Sequence, residues 1–234
     1  MKGTLYGVGV GPGDPELMTL KAARLIRETE VIAVPGSRPE ESTAYRIAVQ
    51  AVPELKEKKL LGLSVPMATD RSLIGEAHRM GAEALKEVLD RGEDVVYLTL
   101  GDPTIYCSFS YFLKLLKEEG YPVEVVSGVP SFCAAAARLQ IPLAEWDEQL
   151  HVIPGVYYKE EPEFLKLPGT CVLMKASNLA GELKEMMKRS GRDVSAVIKC
   201  GMEGEQVCRG AEELPERPGY FTLVIAKEAA GESS

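Results

Sequence analysis

Two loops carry most of the residues whose types and spacing suit chemistry. One is Gly7-Val8-Gly9-Val10-Gly11-Pro12-Gly13-Asp14-Pro15, and the other is Gly101-Asp102-Pro103-Thr104-Ile105-Tyr106. Each follows a short apolar run that reads as a strand, residues 4–10 and 95–100, and each precedes a stretch that reads as a helix. In an open parallel sheet, small molecules bind beyond the carboxyl ends of the strands. Two glycine loops at two such ends therefore predict one small-molecule site built from both. Gly11-Pro12-Gly13 lets backbone approach a ligand closely. The alternative for that loop is a tight turn capped by Asp14.

The spacing excludes the commonest ligands of such loops. A dinucleotide fingerprint needs G-x-G-x-x-G. Counting from Gly7, the third glycine position is Pro12; counting from Gly9, it is Asp14. The second strand ends in Val34-Pro35-Gly36-Ser37, without the acidic residue that would bind a ribose. No Walker A pattern occurs, and Lys21 lies within a helical pattern. The five cysteines, Cys107, Cys133, Cys171, Cys200 and Cys208, form no CxxC pair. Their odd number argues against a disulfide framework or a zinc site. His78 and His151 read as structural or surface residues, so no protein-bound metal is expected.

The elements that must position these loops alternate through the first half. Strands are expected at 4–10, 31–34, 60–65, 95–100 and 123–126. Helices are expected at 15–27, 42–52, 70–91 (capped by Asp70) and 109–119. Short β-branched strands alternating with helices predict a doubly wound parallel sheet. The rhythm then changes. A small-residue helix at 131–139 is followed by strand-like runs at 150–153, 170–175, 194–199, 205–208 and 220–226, with one clear helix at 179–189. This predicts a second α/β domain around a mixed sheet, with domains 1–127 and 128–234 and a frayed tail at 231–234. The expected fold class is thus two α/β domains, with the ligand cleft between them.

The bulk numbers bound the partners. The chain has 234 residues and a net charge of -8, which argues against nucleic acid. No apolar run approaches the roughly 18 residues of a membrane span. The start of the chain shows no signal-peptide pattern, so a cytoplasmic setting is expected.

Three segments in order carry a resemblance. Residues 9–22, Gly9-Val10-Gly11-Pro12-Gly13-Asp14-Pro15 through Leu20-Lys21-Ala22, resemble the signature that opens the tetrapyrrole methylases. These are methyltransferases dependent on S-adenosylmethionine (SAM). Leu100-Gly101-Asp102-Pro103-Thr104-Ile105-Tyr106-Cys107-Ser108 resembles their second signature. Val126-Ser127-Gly128-Val129-Pro130-Ser131-Phe132 through Ile141-Pro142-Leu143 resembles the third. Weaker cues are Leu5-Tyr6-Gly7-Val8-Gly9, Val34-Pro35-Gly36-Ser37, Ser42–Ala48, Val65-Pro66-Met67 with Asp70, and Thr104–Phe109. They are similar to the members that methylate C20 of precorrin-2 or cobalt-factor II in cobalamin synthesis. Other regiochemistry stays open as an alternative, such as uroporphyrinogen-III or C17. So does a relative that methylates a macromolecule.

The resemblance implies SAM contacts at Pro12, Leu100, Gly101, Asp102, Ile105, Pro130, Ser131, Met174 and Gly201. It implies a tetrapyrrole substrate and a homodimer, with any cobalt travelling in the substrate. Each residue also has a plainer reading. Asp102 caps the following helix, Met174 packs in a core, and Gly201 makes a turn. Relatives that methylate uroporphyrinogen carry Thr-Ala where this chain has Pro130-Ser131, and Pro130 has no amide to donate. Tyr106 is the candidate for a catalytic hydroxyl, and a ring packed under the loop is its alternative. Arg38, Arg46 and Lys175 are candidates to meet substrate carboxylates, or are solvated surface charges.

Overall fold

A computed structural model describes residues 1–64, 71–155, 163–179 and 182–229. The Val65-Pro66-Met67 cue, the Asp70 cap and the 231–234 tail lie outside the described residues. Contacts group the chain into two compact units, Met1–Pro130 and Ser131–Ser234.

The first unit alternates as expected. Its elements run β1 (Leu5–Gly9), α1 (Leu20–Glu28), β2 (Val31–Pro35), α2 (Thr43–Ala51), β3 (Lys59–Leu63), α3 (Arg71–Leu89), β4 (Val95–Thr99), α4 (Phe109–Glu118) and β5 (Val123–Val126). The strands lie in the order β3-β2-β4-β1-β5, every pair parallel. β4 is buried along its whole length, as a strand covered on both faces must be. On one face Tyr97, Phe109, Phe112, Leu85 and Leu89 form the core.

The helix expected at 15–27 is split. Asp14 accepts from the Glu16 amide at 2.9 Å and opens a single 3-10 turn, Pro15–Leu17. Thr19 then accepts from Ala22 at 3.2 Å and opens α1 afresh. Two capping side chains five positions apart give the Glu16 and Ala22 amides local partners, so the helical ladder restarts instead of running through.

The strand order sets where a ligand can sit. The chain leaves β1 toward β2, on one side of the sheet. It leaves β4 toward β5, on the other. β1 and β4 are neighbours with connections departing in opposite directions, which is the switch point of an open α/β sheet.

His78 of α3 is buried at 5 % exposure, stacked on Tyr111 at 4.0 Å between ring centroids and edge-on to Phe112 at 5.8 Å. Neither of its ring nitrogens has a hydrogen-bond partner. Burial pushes its pKa below the usual histidine value.

The second unit holds α5 (Ser131–Leu139), β6 (Leu150–Pro154), β7 (Thr170–Met174), α6 (Leu183–Arg189), β8 (Asp193–Ile198), β9 (Gln206–Arg209) and β10 (Thr222–Lys227). Its sheet runs β6-β7-β10-β8-β9, with β6 and β7 parallel and the other pairs antiparallel, which makes it mixed. Leu173, Leu183, Met186, Met187 and Val224 form its core. The helix expected from 179 starts at Leu183, after a 3-10 turn at Ala176–Leu179.

Arg192 ties this unit together. Its guanidinium donates to the carbonyls of Leu165 at 2.9 Å, Gly169 at 2.7 Å, Ala226 at 3.2 Å, and Leu167. Between α5 and β6, the Glu145–Glu148 turn presents Trp146 fully to solvent with φ 51.

Candidate ligand site

The loops after β1 and β4 meet. The Gly101 amide donates to the Gly11 carbonyl at 2.8 Å, and the two residues form an isolated antiparallel bridge. Both glycines are left-handed, Gly11 at φ 78 and Gly101 at φ 70, which an L side chain adopts only with strain. The Gly101 carbonyl is packed between two further glycines. A Cβ on Gly9 would lie 2.4 Å from that oxygen, and one on Gly128 would lie 2.2 Å from it. Gly9, Gly101 and Gly128 thus bring three segments of chain into backbone contact, as the switch point allows.

Asp102 holds the arrangement. It is 5 % exposed, and both carboxylate oxygens are taken by the protein. Oδ1 accepts from the Thr104 amide at 2.8 Å and the Thr104 hydroxyl at 2.5 Å. Oδ2 accepts from the Gly128 amide at 3.0 Å and from the Ser127 hydroxyl. Burial alone would raise its pKa, but the four donors outweigh that and hold the carboxyl below the usual aspartate value. Its carboxylate clasps the start of its own loop to the segment after β5.

Around this clasp, Pro12 and Gly101 are buried, while Leu100 and Ile105 are partly exposed and offer apolar surface. Tyr106 stands at φ 46 with 43 % of its surface exposed. A bulky residue held in the left-handed region costs about 1–2 kcal/mol. The next turn is fixed by Cys107, whose sulfur meets the Thr99 hydroxyl at 2.7 Å and accepts from the Phe109 amide at 3.3 Å.

In the second unit, Ser131 is the first residue of α5 and Met174 the last of β7. Gly201 follows β8 at φ 71, with its amide donating to Glu205 Oε2 at 2.7 Å. Of the candidate cations, Arg38 pairs with Glu41 at 2.8 Å, and Arg46 reaches the Glu40 carbonyl at 3.4 Å. Lys175 stands 5.6 Å from the centre of the Tyr220 ring.

A glycine-lined crook of backbone with partly exposed apolar side chains suits an adenosyl ligand. The glycines let the three loops close on one another, and loop peptides supply polar contacts. Residues 4–215 match the family model of the Tetrapyrrole (Corrin/Porphyrin) Methylases. The chain belongs to that family.

Among tetrapyrrole methylases, it is 36% identical to the "Probable cobalt-precorrin-2 C(20)-methyltransferase" of Methanocaldococcus jannaschii, over 95% of each chain. It is 30% identical to the cobalt-precorrin-2 C(20)-methyltransferase of Salmonella typhimurium, over 97% of this chain and 98% of that one. It also resembles the crystal structure of uroporphyrin-III C-methyl transferase from Thermus thermophilus, solved in complex with S-adenosylhomocysteine. There the identity is 26% and the TM-score 0.69, covering 97% of this chain and 98% of the other. The sequence reading missed Ser127 and Gly128 as partners of Asp102, although both stood inside the third signature. Thr99, Cys107 and Glu205 act through contacts that no local pattern announces.

Proposed function

We propose that the protein transfers a methyl group from SAM to C20 of precorrin-2 or cobalt-factor II, a step of cobalamin synthesis. The observation that carries this reading is the meeting of Gly9, Gly101 and Gly128 at the β1–β4 switch point, one glycine from each signature. The printed activities of the Methanocaldococcus and Salmonella relatives support the substrate and the position. The S-adenosylhomocysteine complex of the Thermus protein supports the donor.

The donor supplies a methyl group on a sulfonium, whose departing thioether is neutral and needs no proton. The protein's task is then largely to hold the reacting groups in line. In this reading Pro12 and Gly101 present backbone to the donor, and Leu100 and Ile105 give it an apolar wall. Asp102, with its carboxylate filled by internal donors, contributes its backbone and the shape of the loop. Pro130, Ser131, Met174 and Gly201 complete the proposed contacts, with Pro130 limited to its carbonyl and ring. Tyr106 is the proposed catalytic hydroxyl, and its left-handed, exposed setting favours that role over a ring packed under the loop. A cytoplasmic homodimer completes the proposal, after the habit of the family.

The test is direct. Purified protein is mixed with SAM and either macrocycle, and product mass is read. Gain of one methyl group on neither macrocycle overturns the C20 reading. Titration calorimetry with S-adenosylhomocysteine checks the donor, and the absence of heat together with an unchanged melting temperature removes it.

A further inference from the structure

The turn after β8 is held in an unusual shape. Lys199, Gly201 and Gly204 all adopt left-handed backbone, at φ 52, 71 and 79. Backbone bonds brace it. The Lys199 amide donates to Phe221 at 3.0 Å, Met202 to Lys199 at 2.9 Å, and Glu205 to Met202 at 3.1 Å. The Gly201 amide takes no backbone partner in this set. It donates instead to the Glu205 carboxylate at 2.7 Å.

That carboxylate is itself fixed. Its other oxygen meets Nε of Arg138, near the end of α5, and its side chain keeps only 21% of its exposure. The Gly201 amide, with help from Arg138, holds its pKa below the ordinary glutamate value despite burial. A trans peptide is planar, with its N–H and C=O pointing in opposite directions. Fixing the Gly201 N–H on Glu205 therefore also fixes the direction of the Cys200 carbonyl. A helix, a carboxylate and one peptide plane thus form a continuous chain that ends at Gly201.

We propose that Glu205, locked by Arg138, is a positioning residue for the methyl donor, acting by setting the orientation of the Cys200–Gly201 peptide. This rests on the reading above, in which Gly201 lies at the donor site. The Met202-to-Lys199 bond closes the turn around the Cys200–Gly201 peptide, and a left-handed glycine lets that peptide turn at little cost. The carboxylate supplies the missing restraint, and a hydrogen bond to a charged group is strong enough to do so.

The experiment uses the full chain and S-adenosylhomocysteine as the calorimetric probe. Glu205→Ala removes the acceptor and is expected to raise Kd about tenfold, the equivalent of about 1.4 kcal/mol. Glu205→Gln keeps an oxygen for the Gly201 amide and is expected to stay within about threefold of wild type. In turnover, Glu205→Ala should raise KM for SAM and leave kcat within about twofold. If Glu205→Ala does not fold, Glu205→Asp replaces it. Its shorter side chain cannot reach both partners, and the same tenfold loss is expected. Wild type that binds while Glu205→Ala (or Glu205→Asp) binds equally well overturns this inference alone. So does a Glu205→Gln protein that melts like wild type yet binds as poorly as Glu205→Ala. Wild type that binds no S-adenosylhomocysteine removes the donor reading, and this inference with it.

Discussion

The carbonyl oxygen of Gly101 occupies the space that a side chain on Gly128 would need, 2.2 Å from the ideal Cβ position. Residues 27 positions apart in sequence are thus in backbone contact, and the site's shape depends on both lacking a side chain. A Cβ that close to a carbonyl requires the backbone to move, because no flexible side-chain end is available to yield.

Gly128→Ala is therefore expected to weaken S-adenosylhomocysteine binding by at least about tenfold and to cost about 1–3 kcal/mol of stability. Calorimetry and thermal melting check both. Gly36→Ala is a control, since nothing lies within 4 Å of a Cβ there and only its φ of 104 is strained. It should lose stability without the matching loss of binding.

The Asp102 clasp gives a pH dependence with a defined sign. Its folded-state pKa is lowered, so its stabilisation is present above the unfolded value of about 3.9 and is lost as pH falls through the folded value. Asp102→Asn puts an amide where four donors converge, and one N–H must then face another donor. The expected cost is about 2–3 kcal/mol at pH 7, shrinking toward zero once wild type itself is protonated in strong acid. Denaturant melts at pH 7 and pH 3 measure the difference. A constant gap would remove the charge from the explanation.

His78 predicts a second acid-sensitive contribution. Buried with no hydrogen-bond partner for either ring nitrogen, it has a folded pKa below the unfolded value of about 6.5. The unfolded chain binds the proton more readily, so stability falls as pH drops below 6.5. His78→Phe keeps the stack on Tyr111 and removes the titration. Its melting temperature should exceed that of wild type by more at pH 5.5 than at pH 8.

Tyr106→Phe separates a chemical role from a packing role. If the hydroxyl acts on the reacting groups, kcat falls by about tenfold or more with KM for SAM nearly unchanged. An unaltered kcat would leave the residue with a shaping role only.

Arg192→Lys tests the brace of the second unit. An ammonium cannot reproduce the planar fork that reaches four carbonyls. A loss of about 1–3 kcal/mol is expected in chemical denaturation, because the carbonyls of the buried residues Gly169 and Ala226 lose a donor.

Much of this architecture was readable along the chain, for identifiable reasons. The runs at Val31–Pro35 and Val95–Thr99 are short, mostly apolar and rich in β-branched residues, as a strand covered on both faces requires. Ser131–Leu139 was legible to the residue, since the small residues Cys133–Ala137 sit at its centre and Gln140-Ile141-Pro142 ends it. The 15–27 stretch misled because its apolar spacing is helical from Met18 onward, while the Thr19 cap that interrupts it is a single hydroxyl. The parallel pairing of β6 and β7 inside a sheet that is otherwise antiparallel has no local signature. At the site, the signatures named Gly101 and Asp102, but the Ser127 hydroxyl that meets Asp102 comes from 25 residues away. Contacts of that kind arise from strand order, which a reading along the chain reaches only through resemblance.

Trp146, the sole tryptophan, is wholly bathed in water on its turn. Its fluorescence in the native state should already resemble that of a denatured chain, so emission excited selectively at the indole would stay nearly silent through global melting. The same indole becomes a selective optical reporter of any molecule that comes to cover that turn.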